Sequence, residues 1–158
     1  MKASVSAVLV VGVLCLASCA GSPRAGRAKA DMSVDGITRL IAQPREVVWS
    51  AIQAYMAQRK WPLAETNVDQ GFIRCGEFRL AGGPDYAHCG SGRRSAVSEY
   101  EVRIRIGLRR MTANGTNVSV DSHITAISDA GRDSECKSTG TLEDELFAGI
   151  DSVVAAWR

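Results

Sequence analysis

The clearest pattern in the chain is a strict alternation of apolar and polar residues from position 100 to position 109. The apolar members of this run are Tyr100, Val102, Ile104, Ile106 and Leu108. Because successive side chains of a strand point to opposite faces, the alternation predicts a strand with one buried and one exposed face. Asn114-Gly115 is a strong signal for a hairpin turn, and a second alternating run follows over residues 116–127. A β-hairpin with one apolar face is therefore the predicted centre of the fold.

Two other segments carry apolar residues at helical spacing. The first begins after Pro44, a residue favoured in the first turn of a helix, and the spacing predicts a helix of about 15 residues that ends before Pro62. Its apolar stripe consists of Val48, Trp49, Ile52, Tyr55 and Met56. The second segment is expected to begin with Thr141 as a cap and Asp144 in the first turn. Its stripe consists of Leu142, Leu146, Ile150, Val153 and Trp157.

Shorter segments complete the predicted order of elements. Residues 36–42 predict a strand before the first helix, and two short strands flank the turn signal at residues 69–71. Residues 80–97 are rich in Gly, Ser and charge and predict a long loop, and a polar connection follows the hairpin. The resulting order, β-α-β-β-β-β-α, predicts one α+β domain over residues 34–158. In this domain an antiparallel sheet carries both helices on the same face.

The N-terminal segment has the features of an export signal. Lys2 precedes an apolar run that is too short to cross a hydrocarbon core of about 30 Å. The run ends in "LASC", residues 16–19, which resembles the bacterial lipobox, where the cysteine is lipidated and becomes the first mature residue. We therefore interpret residues 1–18 as a lipoprotein signal peptide and Cys19 as the site that carries palmitate or a related acyl chain. An ordinary signal peptide cut near Ala20 is the alternative.

The residue after Cys19 bears on the membrane to which the protein is anchored. Lipoproteins of the familiar enteric type are retained at the inner membrane by aspartate at this position, so Ala20 implies the outer membrane by resemblance. The inner membrane is the alternative. Residues 19–33 are interpreted as the lipidated cysteine and a flexible tether, which reaches about 20 Å and keeps the domain close to its membrane on the periplasmic side.

Charge is divided unevenly between the tether and the domain. Four of the 19 Lys and Arg residues precede residue 31, whereas all 17 Asp and Glu residues lie from Asp31 onward. The predicted domain is therefore slightly acidic, and the sequence gives no argument for nucleic acid as a partner. Arg24, Arg27 and Lys29 in the tether could each contribute up to about 1 kcal/mol at an anionic membrane surface. A merely soluble linker is the alternative.

Several features recur together in a known family. Pro44 is followed by Trp49, Asp69 is followed by Gly71 and Ile73, a β-hairpin comes next, and "CKSTGTLEDEL" stands at the last helix. This combination resembles the helix-grip domains of BamC-like outer-membrane lipoproteins, and the resemblance covers residues 34–157. It implies a curved antiparallel sheet that grips a C-terminal helix. BamC carries two such domains behind a long extended segment, whereas this chain has one domain and a short tether, so the role in barrel assembly is not implied.

The five cysteines divide into three groups. Cys15 is removed with the signal peptide and Cys19 carries the lipid, which leaves three in a compartment where disulfides persist. Cys89 and Cys136 lie in irregular segments, and we predict a disulfide between them. Cys75 lies in a strand pattern and is expected to be a small buried hydrophobic residue. A bond between Cys75 and Cys89 is the alternative.

The exposed face of the hairpin carries the candidate docking surface. Arg103, Arg105 and Arg109 point to this face, opposite Asp121 and His123 on the return strand. Guanidinium groups bind carboxylate and phosphate in bidentate fashion, so these arginines predict a docking surface for a protein or an anionic lipid group. The alternative is cross-strand charge pairing that keeps the sheet soluble.

Motifs for catalysis and for metal binding are weak. His88 and Cys89 have no second ligand pair at the spacing of a zinc site, so no metal is expected. Ser119, Asp121 and His123 share a strand face, but no nucleophile motif surrounds the serine. No catalytic residue and no cofactor is therefore predicted.

The sequence favours a non-enzymatic, membrane-anchored periplasmic lipoprotein, an accessory or interaction module in the assembly or maintenance of the cell envelope. Its partners are the membrane, through the lipid anchor, and an envelope protein. The first alternative is a carrier that holds a small apolar ligand between the sheet and the C-terminal helix, behind Trp49 and Trp157. The second is a small hydrolase, which the missing motifs disfavour.

Overall fold

The computed structural model describes residues 36–81, 85–89, 97–128 and 133–158. The described residues form eight strands and two helices, which confirms the predicted α+β fold class. In chain order these elements are β1 (Ile37–Ile41), α1 (Arg45–Arg59), β2 (Leu63–Asn67), β3 (Phe72–Cys75), β4 (Phe78–Ala81), β5 (Ala87–His88), β6 (Val97–Thr112), β7 (Gly115–Ser128), β8 (Asp133–Ser138) and α2 (Thr141–Ala156). The predicted signal peptide, the lipidation site Cys19 and the tether lie outside the described residues.

The strands form an antiparallel sheet in the order β2-β3-β6-β7-β8-β5. Two strands lie off this path, because β4 pairs with residues 99–102 of β6 and β1 pairs with residues 116–120 of β7. The same two long strands also pair with β3 and β8 at other positions. The β6–β7 hairpin is therefore the centre of the sheet, and the shorter strands share its two edges.

The predicted alternation along the hairpin is confirmed. Its buried side chains are Tyr100, Val102, Ile104, Ile106, Leu108, Val118, Val120, Ile124 and Ala126. The turn differs by one position from the prediction, since Thr112 pairs with Gly115 and the loop residues are Ala113 and Asn114. Gly115 is thus the first residue of β7.

Helix α1 follows the prediction in its start and its length, and its predicted stripe is buried except at Trp49 and Tyr55, which are partly buried. The carbonyl of Pro44 accepts hydrogen bonds from the N–H groups of Val47 and Val48, each at 3.1 Å. The helix ends at Lys60, which adopts a left-handed conformation with φ of 57°. The buried side chains of α1 are Val48, Ala51, Ile52 and Met56.

Helix α2 begins differently from the prediction. The N-cap is Gly140, with a left-handed φ of 92° and no side-chain cap, so the expected cap by Thr141 is wrong. Thr141 instead donates to the carbonyl of Asp85 at 3.2 Å, and Asp144 pairs with Arg39 at 2.6 Å. The predicted stripe of α2 is buried from Leu142 to Val153, but Trp157 lies at the end of the helix and is 51% exposed.

The two helices pack against each other on one face of the sheet. Gly149 of α2 permits the close approach, because a Cβ atom at this position would lie 2.1–2.5 Å from ring carbons of Tyr55 in α1. The largest fully buried side chains of the core come from both helices and from the inward face of the sheet, among them Phe147, Ile52 and Ile104. Neither α1 nor α2 has the length and apolar composition needed to cross a membrane.

Strand β8 takes the place of the predicted polar connection. The side chains of β8 do not alternate between apolar and polar, because its inward positions face a cluster of polar side chains. The carboxylate of Glu143 is 3% exposed and accepts hydrogen bonds from Ser138 at 2.8 Å and from Ser122. Strand β4 ends inside the predicted loop 80–97, and β5 lies wholly within it. Part of the predicted loop is therefore regular strand.

Candidate docking surface

The face of the sheet opposite the two helices carries the three predicted arginines. We call it the open face. It is defined by the outward side chains of β6 and β7: Glu101, Arg103, Arg105, Arg109, Asn117, Ser119, Asp121 and His123. The register places Arg103 opposite His123 and Arg105 opposite Asp121. The side chains of Arg103 and Arg105 are 58% and 60% exposed, as the strand pattern predicts.

Two of the three arginines are engaged in ion pairs. Arg103 donates from Nε and Nη2 to one oxygen of Glu77, at 3.1 and 2.7 Å. Arg105 donates from the same two nitrogens to one oxygen of Asp121, at 3.1 and 2.6 Å. The hydrogen bond from Arg103 holds the pKa of Glu77 below its ordinary value. The charge pairing that the sequence left as an alternative is therefore present at Arg103 and Arg105, whereas Arg109 has no ion pair within the described part of the chain.

A cleft of about 320 Å³ opens on this face. It is lined by Arg74, Arg103, Arg105, Asp121 and His123. Arg74 comes from β3 and pairs with Glu65 of β2 at 3.0 Å. Sequence reasoning missed Arg74, although its position between buried Ile73 and buried Cys75 is a short form of the same alternation that marked the other arginines.

The cleft contains an unfavourable pair of like charges. In the antiparallel register of β3 and β6, Arg74 lies directly opposite Arg105. Like charges that face each other across two strands destabilise a sheet. Glu65 and Asp121 each neutralise one of these guanidinium groups from the side, but neither carboxylate pairs with both.

The polar residues of β7 do not form a catalytic arrangement. The Ser119 hydroxyl is hydrogen-bonded to that of Thr38 at 2.9 Å, and Asp121 accepts from Arg105. His123 Nδ1 lies 3.5 Å from Glu135. The three residues of the conceivable triad therefore have separate partners on the open face.

The cysteines pair as predicted, but Cys136 lies in strand β8 and not in an irregular segment. The sulfur atoms of Cys89 and Cys136 are 2.06 Å apart, at the bonding distance of a disulfide, and the bond joins the end of β5 to β8. This is the pairing that we predict from the sequence. Cys75 is a free, buried thiol, and burial raises its pKa to about 12. The alternative bond between Cys75 and Cys89 is therefore not the one formed in the structure.

Two further cavities lie at other positions. One of about 410 Å³ lies where β1 and β8 meet along β7, and one of about 520 Å³ lies beside Trp61 and Phe78. In the described part of the chain, neither Trp49 nor Trp157 lines these cavities or the arginine cleft. Within the described ranges no group of three or more His, Cys, Asp or Glu side chains could hold a metal ion. Cys89, beside His88, is instead occupied by its disulfide.

Comparisons with known proteins show distant similarity to solved structures. No protein-family model and no curated protein matches the chain. Among solved structures, the chain is similar to a DUF4468 family protein from Bacteroides ovatus ATCC 8483, at 10% sequence identity and a TM-score of 0.38. The similarity covers 77% of this chain and 80% of that one.

Proposed function

We propose that the protein is a non-enzymatic lipoprotein, anchored through Cys19 to the periplasmic side of the outer membrane, and that its domain is an interaction module of the cell envelope. The sequence around Cys19 supports the anchor, since it resembles a lipobox at the end of an apolar export signal. Ala20 supports the outer membrane over the inner membrane. The BamC-like resemblance of residues 34–157 is consistent with a role in envelope assembly or maintenance.

The observation that carries the proposal is the division of the sheet into two faces. The inward face is filled by apolar side chains against both helices. The open face presents charged side chains at its centre, with a cationic cleft and the unpaired guanidinium of Arg109 in the described structure. A broad, polar, rigid surface suits binding to another envelope component, and its serine, aspartate and histidine side chains are not arranged for nucleophilic catalysis.

The anchor is tested by metabolic labelling with palmitate. We expect the wild-type protein to incorporate the label and to fractionate with outer membranes. The variant Cys19→Ser should incorporate none and leave the membrane fraction. Label in both versions, or in neither, would contradict the proposed anchor.

The docking surface is tested by a photocrosslinking amino acid in intact cells. We place it at position 109 on the open face, and at position 151 as a matched control on the exposed side of α2. We expect a discrete adduct with an envelope component from position 109 and not from position 151. Adducts of the same identity and yield from both positions would reject the open face as the docking surface.

A further inference from the structure

We propose that the cleft lined by Arg74, Arg103 and Arg105 binds the phosphate group of an anionic phospholipid headgroup. This inference rests on the proposed membrane anchoring and names the partner of the open face. It is carried by four features of the described residues: the charge of the cleft, the donors left free in it, its size and its distance along the chain from Cys19.

The charge of the cleft favours an anion. Three guanidinium groups and one carboxylate, that of Asp121, line a space of about 320 Å³. Arg74 and Arg105 are direct cross-strand neighbours, so their charges repel each other, although Glu65 and Asp121 each offset one of them from the side. A phosphate between the two side chains converts this repulsion into two attractive contacts.

The hydrogen-bonding pattern leaves donors for such a ligand. Arg103 and Arg105 each use Nε and Nη2 on a single carboxylate oxygen. Their Nη1 groups have no partner among the residues that the structure describes. A guanidinium group carries five N–H donors in a planar fork, so each arginine can keep its ion pair and also donate to a phosphate oxygen.

The size of the cleft limits the ligand. A volume of about 320 Å³ is at the lower end of the range for small-molecule sites, roughly 300–1,000 Å³. The walls are charged side chains and an imidazole, without an apolar groove for acyl chains. The cleft therefore fits a headgroup phosphate whose acyl chains remain in the membrane.

The path of the chain brings the cleft near the membrane. The described chain begins at Gly36, where an added Cβ atom would lie 2.8 Å from the backbone nitrogen of Asp121, a residue of the cleft. Residues 20–35 connect this point to Cys19. A chain of this length reaches at most about 55 Å even when fully extended, so the headgroups around the anchor are within reach of the cleft.

The test is a lipid titration of the protein purified from its membrane in a nonionic detergent. The midpoint of thermal unfolding is followed as dihexanoylphosphatidylglycerol is added at constant ionic strength. Dihexanoylphosphatidylcholine and inorganic phosphate form two parallel arms. A ligand that binds only the folded state raises the midpoint as its concentration passes the Kd. We expect a rise with phosphatidylglycerol and little or none in the other two arms.

Three variants decide which residues are responsible. We expect Arg74→Gln and Arg105→Gln each to weaken the apparent affinity for phosphatidylglycerol at least tenfold. Arg79→Gln is the matched control, because Arg79 is an exposed, ion-paired arginine outside the cleft, and it should leave the affinity unchanged. Without lipid, Arg74→Gln should change the midpoint little, since it removes one member of the like-charge pair together with an exposed ion pair to Glu65.

Each other outcome overturns the proposal. An equal rise with inorganic phosphate would assign the cleft to a free anion, and an equal rise with phosphatidylcholine would show nonspecific lipid binding. The same loss of affinity in Arg79→Gln would show general charge attraction, and no rise in any arm would leave the cleft without a phosphate ligand. The lipid titration tests ligand binding in the cleft, whereas palmitate labelling and photocrosslinking test the proposed function. A failure of the lipid proposal is therefore distinguishable from a failure of the proposed function.

Discussion

Glu77 is the residue whose ionisation depends most directly on the open face. Its pKa is lowered chiefly by the hydrogen bonds from Arg103. A lowered pKa in the folded state means that the ionised carboxylate contributes stability above its unfolded pKa. That contribution is lost as the pH falls through the folded pKa.

We therefore expect Arg103→Gln to raise the pKa of Glu77 towards its ordinary value. The measurement is a pH titration of the Glu77 carboxyl carbon by NMR. Arg105→Gln is the control, because Arg105 pairs with Asp121 and not with Glu77. If both variants move the pKa of Glu77 equally, the hydrogen bond from Arg103 is not the cause.

Gly149 is the residue on which the contact between the helices depends. Alanine favours helix formation over glycine, yet a Cβ atom at this position would overlap the ring of Tyr55. We expect Gly149→Ala to lower the free energy of unfolding by about 1–3 kcal/mol, as overpacked cores do. Urea denaturation measures the change.

The double variant with Tyr55→Ala identifies the mechanism of this loss. In a Tyr55→Ala background the overlap is absent, so Gly149→Ala should be neutral or stabilising there. The difference between the two backgrounds is the coupling energy of the pair. Equal effects in both backgrounds would show that the Tyr55 ring does not limit the substitution.

At the scale of the element, the disulfide fixes β5 on β8. Among the described residues, the backbone pairing of these two strands consists of two residue pairs, at Ala87 and His88. The Cys89–Cys136 bond lies next to these pairs. The bond closes a loop with a sequence separation of 47. We expect the double variant Cys89→Ser, Cys136→Ser to lose about 4 kcal/mol of unfolding free energy by the loop-entropy estimate.

Urea denaturation with and without dithiothreitol checks this value. The wild-type protein in reductant should approach the double variant, and the double variant should not respond to reductant. Both proteins carry Cys75→Ser in this comparison, because the Cys75 thiol is a poor nucleophile only while it is buried in the folded protein. A wild-type midpoint that is insensitive to reductant under unfolding conditions would contradict the prediction.

The elements that the sequence predicts are those in which one face is buried by apolar side chains. The run from Tyr100 to Leu108 and the stripe of α1 meet this condition, and both are found where the patterns place them. Strand β8 does not meet it, because its inward Ser138 is satisfied by Glu143 and its Cys136 by a distant cysteine. Such long-range polar contacts leave no periodic pattern in the local sequence.

The same reasoning explains what was missed in the candidate site. The alternation of β6 is long enough to assign Arg103, Arg105 and Arg109 to one exposed face. The partners of these arginines depend on which strands lie beside β6. Glu77 comes from a segment without a clear pattern, and Arg74 from an alternation of only three residues. The order of the strands in the sheet is set by tertiary packing, and this order determines which side chains line the cleft.

At the scale of the whole molecule, stability and surface recognition are separated between the two faces of one sheet. Ile104 on the inward face is fully buried, and its neighbour Arg103 on the open face is 58% exposed at the side chain. We expect Ile104→Ala to cost about 2–5 kcal/mol. Arg103→Ala should cost much less, as is usual for an exposed ion pair.

Both variants are compared by urea denaturation at neutral pH. A loss at Arg103 as large as that at Ile104 would show that the open face contributes to the core of the fold, and the open face could then not be altered independently of folding. A small loss at Arg103 permits every arginine variant proposed above to be interpreted as a change in binding.

The link between β5 and β8 also bears on the order of events during the proposed export. Thiols stay reduced in the cytoplasm, so a newly made chain lacks this link until it reaches an oxidising compartment. A precursor that lacks about 4 kcal/mol of its final stability unfolds more readily, and an unfolded precursor is what a narrow translocation pore requires. On the proposed route, the Cys89–Cys136 bond would therefore stabilise the native state only after the polypeptide has crossed the inner membrane.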